Sequence, residues 1–261
     1  MTNIVVLVKQ VPDTYSERKL NGADHTLDRE SADAVLDEIN EKAVEEALKI
    51  KEAGEGEVTV LSVGPDRATD AIRKALSMGA DKAIHVSDAA LHGSDAIATA
   101  KVIAAAIGKV AGYDLIIAGN ESSDGRGGAV PAILAELLGL PQVTYVRELT
   151  VEGTTLKAHR ETEDGITHLE ANLPAVVSVG EKINEPRYPS FKGIMAAKKK
   201  PVETFTIADL GIDASEVGLA NAWSEVTESS PKPPRTAGEK VEDEGDGGTK
   251  VAEYLVGQKL I

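Results

Sequence analysis

The sequence contains no cysteine and very few aromatic residues. One Trp, five Tyr and two Phe make up 3% of its 261 residues. Without cysteine the chain cannot form a disulfide, use a thiol nucleophile, or bind zinc or an iron–sulfur cluster through thiolates. Its apolar core must therefore be built from Val, Ile, Leu and Ala, a composition that suits alternating strands and helices.

Basic charge and long apolar runs are also scarce. The 28 Lys and Arg residues are outnumbered by 43 Asp and Glu residues, which gives a formal net charge of −15. Because so acidic a chain repels a phosphate backbone, nucleic acid is not an expected partner. The apolar run in the opening MTNIVVLVKQ is too short for a signal sequence, and no later run reaches membrane-spanning length. We therefore expect a cytoplasmic protein that lacks a targeting segment and is not a membrane protein.

Strand-like and helix-like segments alternate over the first half of the chain. Apolar runs predict buried strands at 4–8, 57–63, 82–86 and 114–118, and helical periodicity predicts helices at 33–53, 67–78, 94–110 and 130–138. This alternation favours right-handed βαβ crossovers, hence a three-layer, doubly wound, mostly parallel α/β sheet of the Rossmann-like kind that binds adenine nucleotides. In this interpretation Glu45, Glu46 and Glu55 lie on solvated faces.

The pattern changes after Pro141. Alternation at 143–151, 156–160 and 166–169 predicts antiparallel hairpin additions, and the run at 175–179 predicts one more buried strand. From residue 184 onward the periodicity is weak. Beyond Asp213 the chain is rich in proline, glycine and acidic residues, with one short apolar helix candidate at 251–260. So little apolar content predicts a tail that is either disordered or ordered against another chain.

The loop after the fourth of these first strands is the strongest candidate site. Ligands of open parallel sheets bind outside the carboxyl ends of the strands, where 9–15, 64–66 and 119–128 are the candidate loops. The last of these, GNESSDGRGG, contains four glycines and leads into a helix. Glycines let backbone amides approach a phosphate, the helix N-terminus adds partial positive charge, and Arg126 can pair with the anion. A flexible loop that merely caps the helix fits the same residues equally well.

No catalytic constellation accompanies this loop. The sequence has neither G-x-G-x-x-G after a strand nor a P-loop, G-x-S-x-G is missing, and the five histidines show no metal-ligand spacing. These observations favour a binding or carrier protein over an enzyme, with no catalytic residues and no metal.

Five segments resemble the beta subunit of electron transfer flavoprotein, and together they extend along essentially the whole chain. They are IVVLVKQVPDT, NEKAVEEALKIKE, SVGPDRATDAIRKALSMGADKAIHV, AHRETEDGITHLEANLPAVVS and NEPRYPSFKGIMAAKKKP. The resemblance implies a heterodimer with an alpha subunit that carries most of the FAD site, while this chain holds a structural AMP. It also implies a carrier that accepts electrons from acyl-CoA dehydrogenases and related enzymes and passes them to a membrane quinone-linked oxidoreductase.

The same resemblance implies a set of site residues. The expected AMP contacts are Leu7, Asp37, Asn40 and Val63, with the phosphate on Asp124, Gly125, Arg126, Gly127, Gly128, Ala129, Val130 and Pro131. Thr14 and Tyr15 are expected near FAD. The partner-binding candidates are Phe191 as a dehydrogenase anchor, Glu161 as the partner of an alpha-subunit arginine, and Lys198, Lys199 and Lys200 as a steering or merely solvated run. Without the family, Phe191 would be interpreted as a core aromatic.

The resemblance also divides the chain into three parts. Residues 1–183 are the nucleotide-binding domain, with hairpin additions from about 142; residues 184–200 are a partner recognition loop, and 201–261 are a C-terminal arm on the partner subunit. Two alternatives stay open: a bifurcating flavoprotein with a second FAD in place of AMP, and a stand-alone ATP-binding stress-type protein.

Overall fold

A computed structural model of the chain describes residues 1–235, 238 and 240–261. These residues form two units, Met1–Thr227 and Glu228–Ile261.

The first unit is built on a nine-stranded sheet. Its strands are β1 (Ile4–Leu7), β4 (Val58–Val63), β5 (Lys82–Val86), β6 (Leu115–Gly119), β7 (Gln142–Glu152), β8 (Thr155–Thr162), β9 (Gly165–Asn172), β10 (Ala175–Val179) and β11 (Val202–Phe205). Their order is β11-β5-β4-β1-β6-β10-β7-β8-β9. Pairing is parallel from β11 to β7, whereas β7, β8 and β9 pair antiparallel. The mostly parallel α/β fold with hairpin additions is therefore confirmed.

Helices cover both faces of the parallel part of the sheet. They are α1 (Glu38–Ala53), α2 (Thr69–Met78), α3 (Ala96–Ile107), α4 (Val130–Leu138) and α5 (Phe191–Ala197). Val44 of α1 and Ile72 of α2 belong to one buried cluster, while Val102 of α3 and Leu134 of α4 belong to a second. Each cluster packs between the sheet and the helices on one of its faces, which gives three layers. Val, Ile, Leu and Ala supply nearly all of both clusters, as the scarcity of aromatics requires.

One local prediction is wrong. Residues 33–37 do not open the first helix: Ala34–Leu36 is a strand, β3, which pairs antiparallel with β2 (Gln10–Pro12). The helix begins only after Asp37, whose extended backbone and side-chain cap define its N-terminus. In the segment of weak periodicity the chain forms α5, which Ser190 caps through Gly193 N at 3.0 Å.

The second unit contains α6 (Gly247–Gly257), which covers most of the helix predicted at 251–260. The proposed division at residues 183 and 200 stays a prediction. Residues 202–205, counted there with the arm, add β11 to the sheet edge beside β5. Within the described ranges no helix combines the length and the hydropathy needed to cross a membrane.

Candidate functional site

The site lies where the strand order of the sheet reverses. From β1 the chain continues outward to β4 and β5, and it then crosses to β6 on the opposite side of β1. Leu7 is the last residue of β1 and Gly119 is the last residue of the neighbouring, parallel β6. In a doubly wound sheet, this crevice between the carboxyl ends of two strands is where ligands bind.

The first turn of α1 holds together the two loops that leave these strands. The Asp37 carboxylate is fully buried and accepts hydrogen bonds from Ile39 N at 3.0 Å and Asn40 N at 3.1 Å. Its second oxygen accepts from Ser123 N at 2.7 Å, and Asn40 Oδ1 accepts from Lys9 N at 2.7 Å. These hydrogen bonds engage both Asp37 oxygens and the Asn40 oxygen within the protein, and they fix the shape of the crevice.

Close packing at the floor of the crevice requires a glycine. A Cβ on Gly119 would lie 2.6 Å from Asn40 Nδ2 and 3.0 Å from the Ile39 side chain, which is too close for any other residue without a shift. Gly119 therefore lets the first turn of α1 approach the end of β6 directly.

Asp124 is the buried charge of the site. Its side chain is 1% exposed, and its two oxygens accept from Lys9 Nζ at 2.8 Å and Arg29 NH1 at 3.0 Å. Burial raises the pKa of this carboxyl, but Lys9, Ser122 and Arg29 more than reverse that effect and hold the pKa at about 2 against an ordinary 3.8. At neutral pH Asp124 is thus an anion neutralised by two cations.

The sequence reasoning missed both of these cations. Lys9 stood within a candidate loop but had no role there, and its position directly after the first strand was the available signal. Arg29 lies in the turn-rich stretch between β2 and β3, where no periodicity or spacing distinguishes it. Only the tertiary structure brings it to Asp124, 95 residues further along the chain.

The glycine loop contains left-handed backbone at two positions. Arg126 and Gly128 have positive φ values of 48° and 62°. A Cβ on Gly128 would lie 3.1 Å from the Tyr145 hydroxyl. A Cβ on Gly127 would have no described atom within 4 Å. Arg126 NH1 donates to Glu121 at 3.3 Å, while its side chain remains 64% exposed. The loop is thus closed on the Tyr145 side and open at Gly127.

Several groups in this loop have unused hydrogen-bonding capacity. Judged on the described part of the chain, no side chain caps α4, which begins after Ala129 with Val130 and carries Pro131 in its first turn. Two buried oxygens, Asn120 Oδ1 and Ser123 Oγ, also have no partner among the described residues. The Ser123 hydroxyl and the backbone N–H groups at the start of α4 are donors of the kind that a phosphate ester accepts from, whereas the Asn120 oxygen is itself an acceptor and Pro131 has no N–H.

Leu7 and Val63 form the apolar part of the same edge. Leu7 is buried, and Val63 is half-buried as the last residue of β4, where the strand predicted at 57–63 also ends. Together with Asp37, Asn40 and the loop 124–131, they surround the carboxyl ends of β1, β4 and β6. The structure therefore gathers all twelve predicted AMP contacts at one edge of the sheet.

Thr14 and Tyr15 stand apart from this cluster. They follow β2 in a turn in which Tyr15 N donates to Asp13 Oδ1 at 2.9 Å. The Tyr15 side chain is 97% exposed, so it reaches into solvent rather than into the crevice.

The segment 184–200 presents an exposed apolar surface. Phe191, the first residue of α5, is 81% exposed, and Tyr188, Ile194 and Met195 are also exposed. The alternative of a core aromatic is therefore wrong for Phe191. A solvent-facing cluster of large apolar side chains is typical of an interaction surface.

Buried glutamates of α1 hold this segment in place. Glu45 accepts from Arg187 Nε at 2.8 Å and Nη2 at 3.0 Å, and Glu46 accepts from Asn184 Nδ2 at 2.9 Å. Both glutamates are buried, so the prediction that they lie on a solvated face is wrong, whereas Glu55 is exposed as expected. Helical periodicity cannot indicate that a distant Arg pairs with a carboxylate on a polar-looking face.

The three consecutive lysines do not act alike. Lys198 and Lys199 are exposed, whereas Lys200 Nζ donates to the carbonyl of Leu76 at 3.0 Å and to that of Ala80. Burial lowers the pKa of the Lys200 ammonium. Lys200 thus binds the C-terminal end of α2, and only the other two face solvent.

Glu161 is paired within the chain. Its Oε1 accepts from Arg147 Nη1 at 3.1 Å and Lys182 Nζ at 3.4 Å.

Across the part of the chain that the structure describes, no group of three or more His, Asp or Glu residues is arranged to hold a metal ion.

Comparison with known proteins relates this chain to one family. A family model described as electron transfer flavoprotein domain matches residues 24–210. The chain is 64% identical over 266 aligned positions to the electron transfer flavoprotein subunit beta of Mycobacterium tuberculosis, with all of both chains covered. It is 37% identical to the subunit of the same name from Megasphaera elsdenii, with 99% of each chain covered. It is also 37% identical to the caffeyl-CoA reductase-Etf complex subunit CarD of Acetobacterium woodii, with 91% of each covered.

Proposed function

Because the chain belongs to the electron transfer flavoprotein family, we propose that it is the beta subunit of a heterodimer whose other member is an alpha subunit. In this role the chain is an electron carrier subunit and turns over no substrate of its own. It accepts electrons from acyl-CoA and related dehydrogenases through the heterodimer's flavin and delivers them to a membrane quinone-linked oxidoreductase. Support comes from relatives named subunit beta that align with the whole chain.

AMP is the nucleotide proposed for the crevice between β1 and β6. The observation that supports this proposal is an uncapped helix start and open glycine backbone in the loop 124–131, with the unpaired Ser123 hydroxyl directly before it, within the described structure. The amides of this loop would bind the phosphate, with Arg126 as an added cation. Leu7 and Val63 would contact the base or ribose from the apolar side. Bound there, AMP would have a structural role in the heterodimer.

FAD is proposed to lie mainly in the alpha subunit, at the interface with this chain. When bound, it supplies the electron-carrying chemistry of the heterodimer. The exposed Tyr15, with Thr14 beside it, would contact the flavin edge, because a fully exposed aromatic side chain is available for burial against a partner. Glu161 would exchange its partners within the chain for an arginine of the alpha subunit.

The exposed apolar surface around Phe191 is proposed to dock dehydrogenases. A large apolar side chain at the centre of an interface can supply much of the binding energy when it enters a pocket of the partner. Lys198 and Lys199 lie beyond α5 and would steer acidic partners toward this surface.

A second FAD in place of AMP is the alternative for the crevice. The chain is also similar to a subunit of a caffeyl-CoA reductase-Etf complex. Both nucleotides carry an adenosine phosphate, so the loop 124–131 can serve either, and the fold alone does not discriminate between them.

The test is to express the chain with its alpha subunit, purify the complex, denature it and quantify the released nucleotides by mass spectrometry. One AMP and one FAD per heterodimer are expected. Two FAD and no AMP would instead favour the bifurcating alternative, and ATP from a chain that binds no partner would favour the stress-type protein.

A matched pair of variants assigns the nucleotide to the loop. Gly127→Glu places a carboxylate at an open position of the phosphate loop, whereas Gly22→Glu places one at an equally open position outside the loop. The first is expected to lose AMP through charge repulsion and the second to retain it. Equal AMP content in both would refute the assignment to this loop.

A further inference from the structure

The segment 13–33 is attached to the phosphate loop through Asp124. Arg29 belongs to this segment, which joins β2 to β3, and its NH1 contacts Asp124 Oδ2 at 3.0 Å. Lys9, at the end of β1, contacts the other oxygen of the same carboxylate. One buried side chain therefore joins three parts of the site that are distant in sequence.

Electrostatics alone does not explain an acidic residue at this position. A carboxylate beside a phosphate site opposes the binding of an anion, and burying it costs free energy unless cations pair with it. Lys9 and Arg29 together with Asp124 give a net charge of +1, whereas the two cations with a neutral asparagine would give +2. Asp124 therefore weakens the attraction of the site for an anion. Its contribution lies in the position that it imposes on Lys9 and Arg29.

Arg29 also reaches the turn that follows β4. Arg67, in the 3₁₀ turn Asp66–Ala68, donates from NH1 to the Arg29 carbonyl at 2.7 Å and pairs with Glu30 at 3.3 Å. The side chain of Arg29 is thus fixed to the phosphate loop while its backbone is fixed to the neighbouring loop. Any displacement of Asp124 is transmitted to the segment 13–33, and the reverse also holds.

We propose that Asp124, Lys9 and Arg29 form a positioning cluster that couples nucleotide retention in the crevice to the placement of segment 13–33. Nucleotide bound to the loop 124–131 keeps Asp124 in contact with Arg29. This contact immobilises the segment that carries Thr14 and Tyr15. In turn, Arg29 slows nucleotide release by holding the loop closed. This inference rests on the proposed nucleotide site and adds residues to it.

The first experiment loads the purified heterodimer with labelled AMP and measures the release of that AMP by rapid filtration into buffer that contains excess unlabelled AMP. Asp124→Asn and Arg29→Ala are expected to release AMP on the order of tenfold faster than the unsubstituted protein, the loss of roughly one charge-assisted contact. Arg29→Lys should restore part of the retention. Lys19→Ala, which removes an exposed cation of the same segment paired only with Glu17 in the described structure, is the matched control and should leave release unchanged.

The sign of the Asp124→Asn effect separates positioning from charge. Simple attraction predicts slower release from this variant, because a negative charge has been removed beside the phosphate. Slower or unchanged release would overturn the inference. The Arg29 side chain is 37% exposed, so Arg29→Ala leaves the core intact and keeps the test valid if Asp124→Asn does not fold.

The second experiment follows amide hydrogen exchange in residues 13–33 with and without AMP. We expect AMP to slow this exchange in the unsubstituted protein and to have no effect on it in Arg29→Ala. If AMP binds normally but the exchange does not respond to it, the inference fails while the proposed function stands. If the unsubstituted heterodimer binds no AMP at all, both fail.

Discussion

Acid stability should depend on Asp124 in a way that a neutral substitute reveals. The carboxyl has a pKa of about 2 in the folded protein, against an ordinary 3.8. A depressed pKa contributes stability above the ordinary value, and this contribution disappears as the pH falls through the folded value. Asp124→Asn removes it at every pH. The unsubstituted protein should therefore be more stable than the variant above about pH 4, and the two should converge near pH 2.

The expected magnitude follows from the same pKa. Each pKa unit corresponds to about 1.4 kcal/mol, so a fall from 3.8 to about 2 contributes about 2 kcal/mol. No solvent discount applies to Asp124, since its side chain is 1% exposed. Lys9 and Arg29 are 39% and 37% exposed, so both can turn to water once the carboxylate is gone and add little further loss.

The assay is urea unfolding of the nucleotide-free chain followed by circular dichroism at several pH values between about 2 and about 7. Asp33→Asn, which neutralises an exposed carboxylate of the segment 13–33, is the control and should change the free energy of unfolding little at any pH. A difference between the unsubstituted protein and Asp124→Asn that stays constant from neutral to acid pH would refute the reasoning, because it would not arise from ionisation.

Four further substitutions test the packing and the docking surface. Arg187→Ala should lower the free energy of unfolding by about 2 kcal/mol in chemical denaturation, because Glu45, 7% exposed, loses its cation; no change would mean that water replaces the pair. Gly128→Ala should lower it by about 1–2 kcal/mol, since φ is 62° there, whereas Gly127→Ala should have a smaller effect. Phe191→Ala should leave the melting temperature unchanged but weaken dehydrogenase binding in surface plasmon resonance; an unchanged affinity would contradict the docking proposal.

Much of the fold was predictable from local sequence signals. The strands at 82–86 and 175–179 and the helix at 130–138 have the predicted bounds, because an apolar run marks each; Pro174 and Gly180 flank the second strand, and Gly139 follows the helix. The glycine loop was likewise visible, since glycines placed between a strand and a helix imply backbone access. The first helix was extended too far because β3 owes its strand conformation to pairing with β2 rather than to its own residues.

The sequence by itself determined the alternation of strands and helices, the aliphatic core and the position of the glycine loop, because each depends on residues close together along the chain. Only the tertiary structure decided that Glu45 is buried against Arg187 and that Asp124 is paired with Lys9 and Arg29. These pairs join residues 142, 115 and 95 positions apart. No periodicity indicates such contacts, because the partner of a charged side chain is set by which segments the sheet brings together.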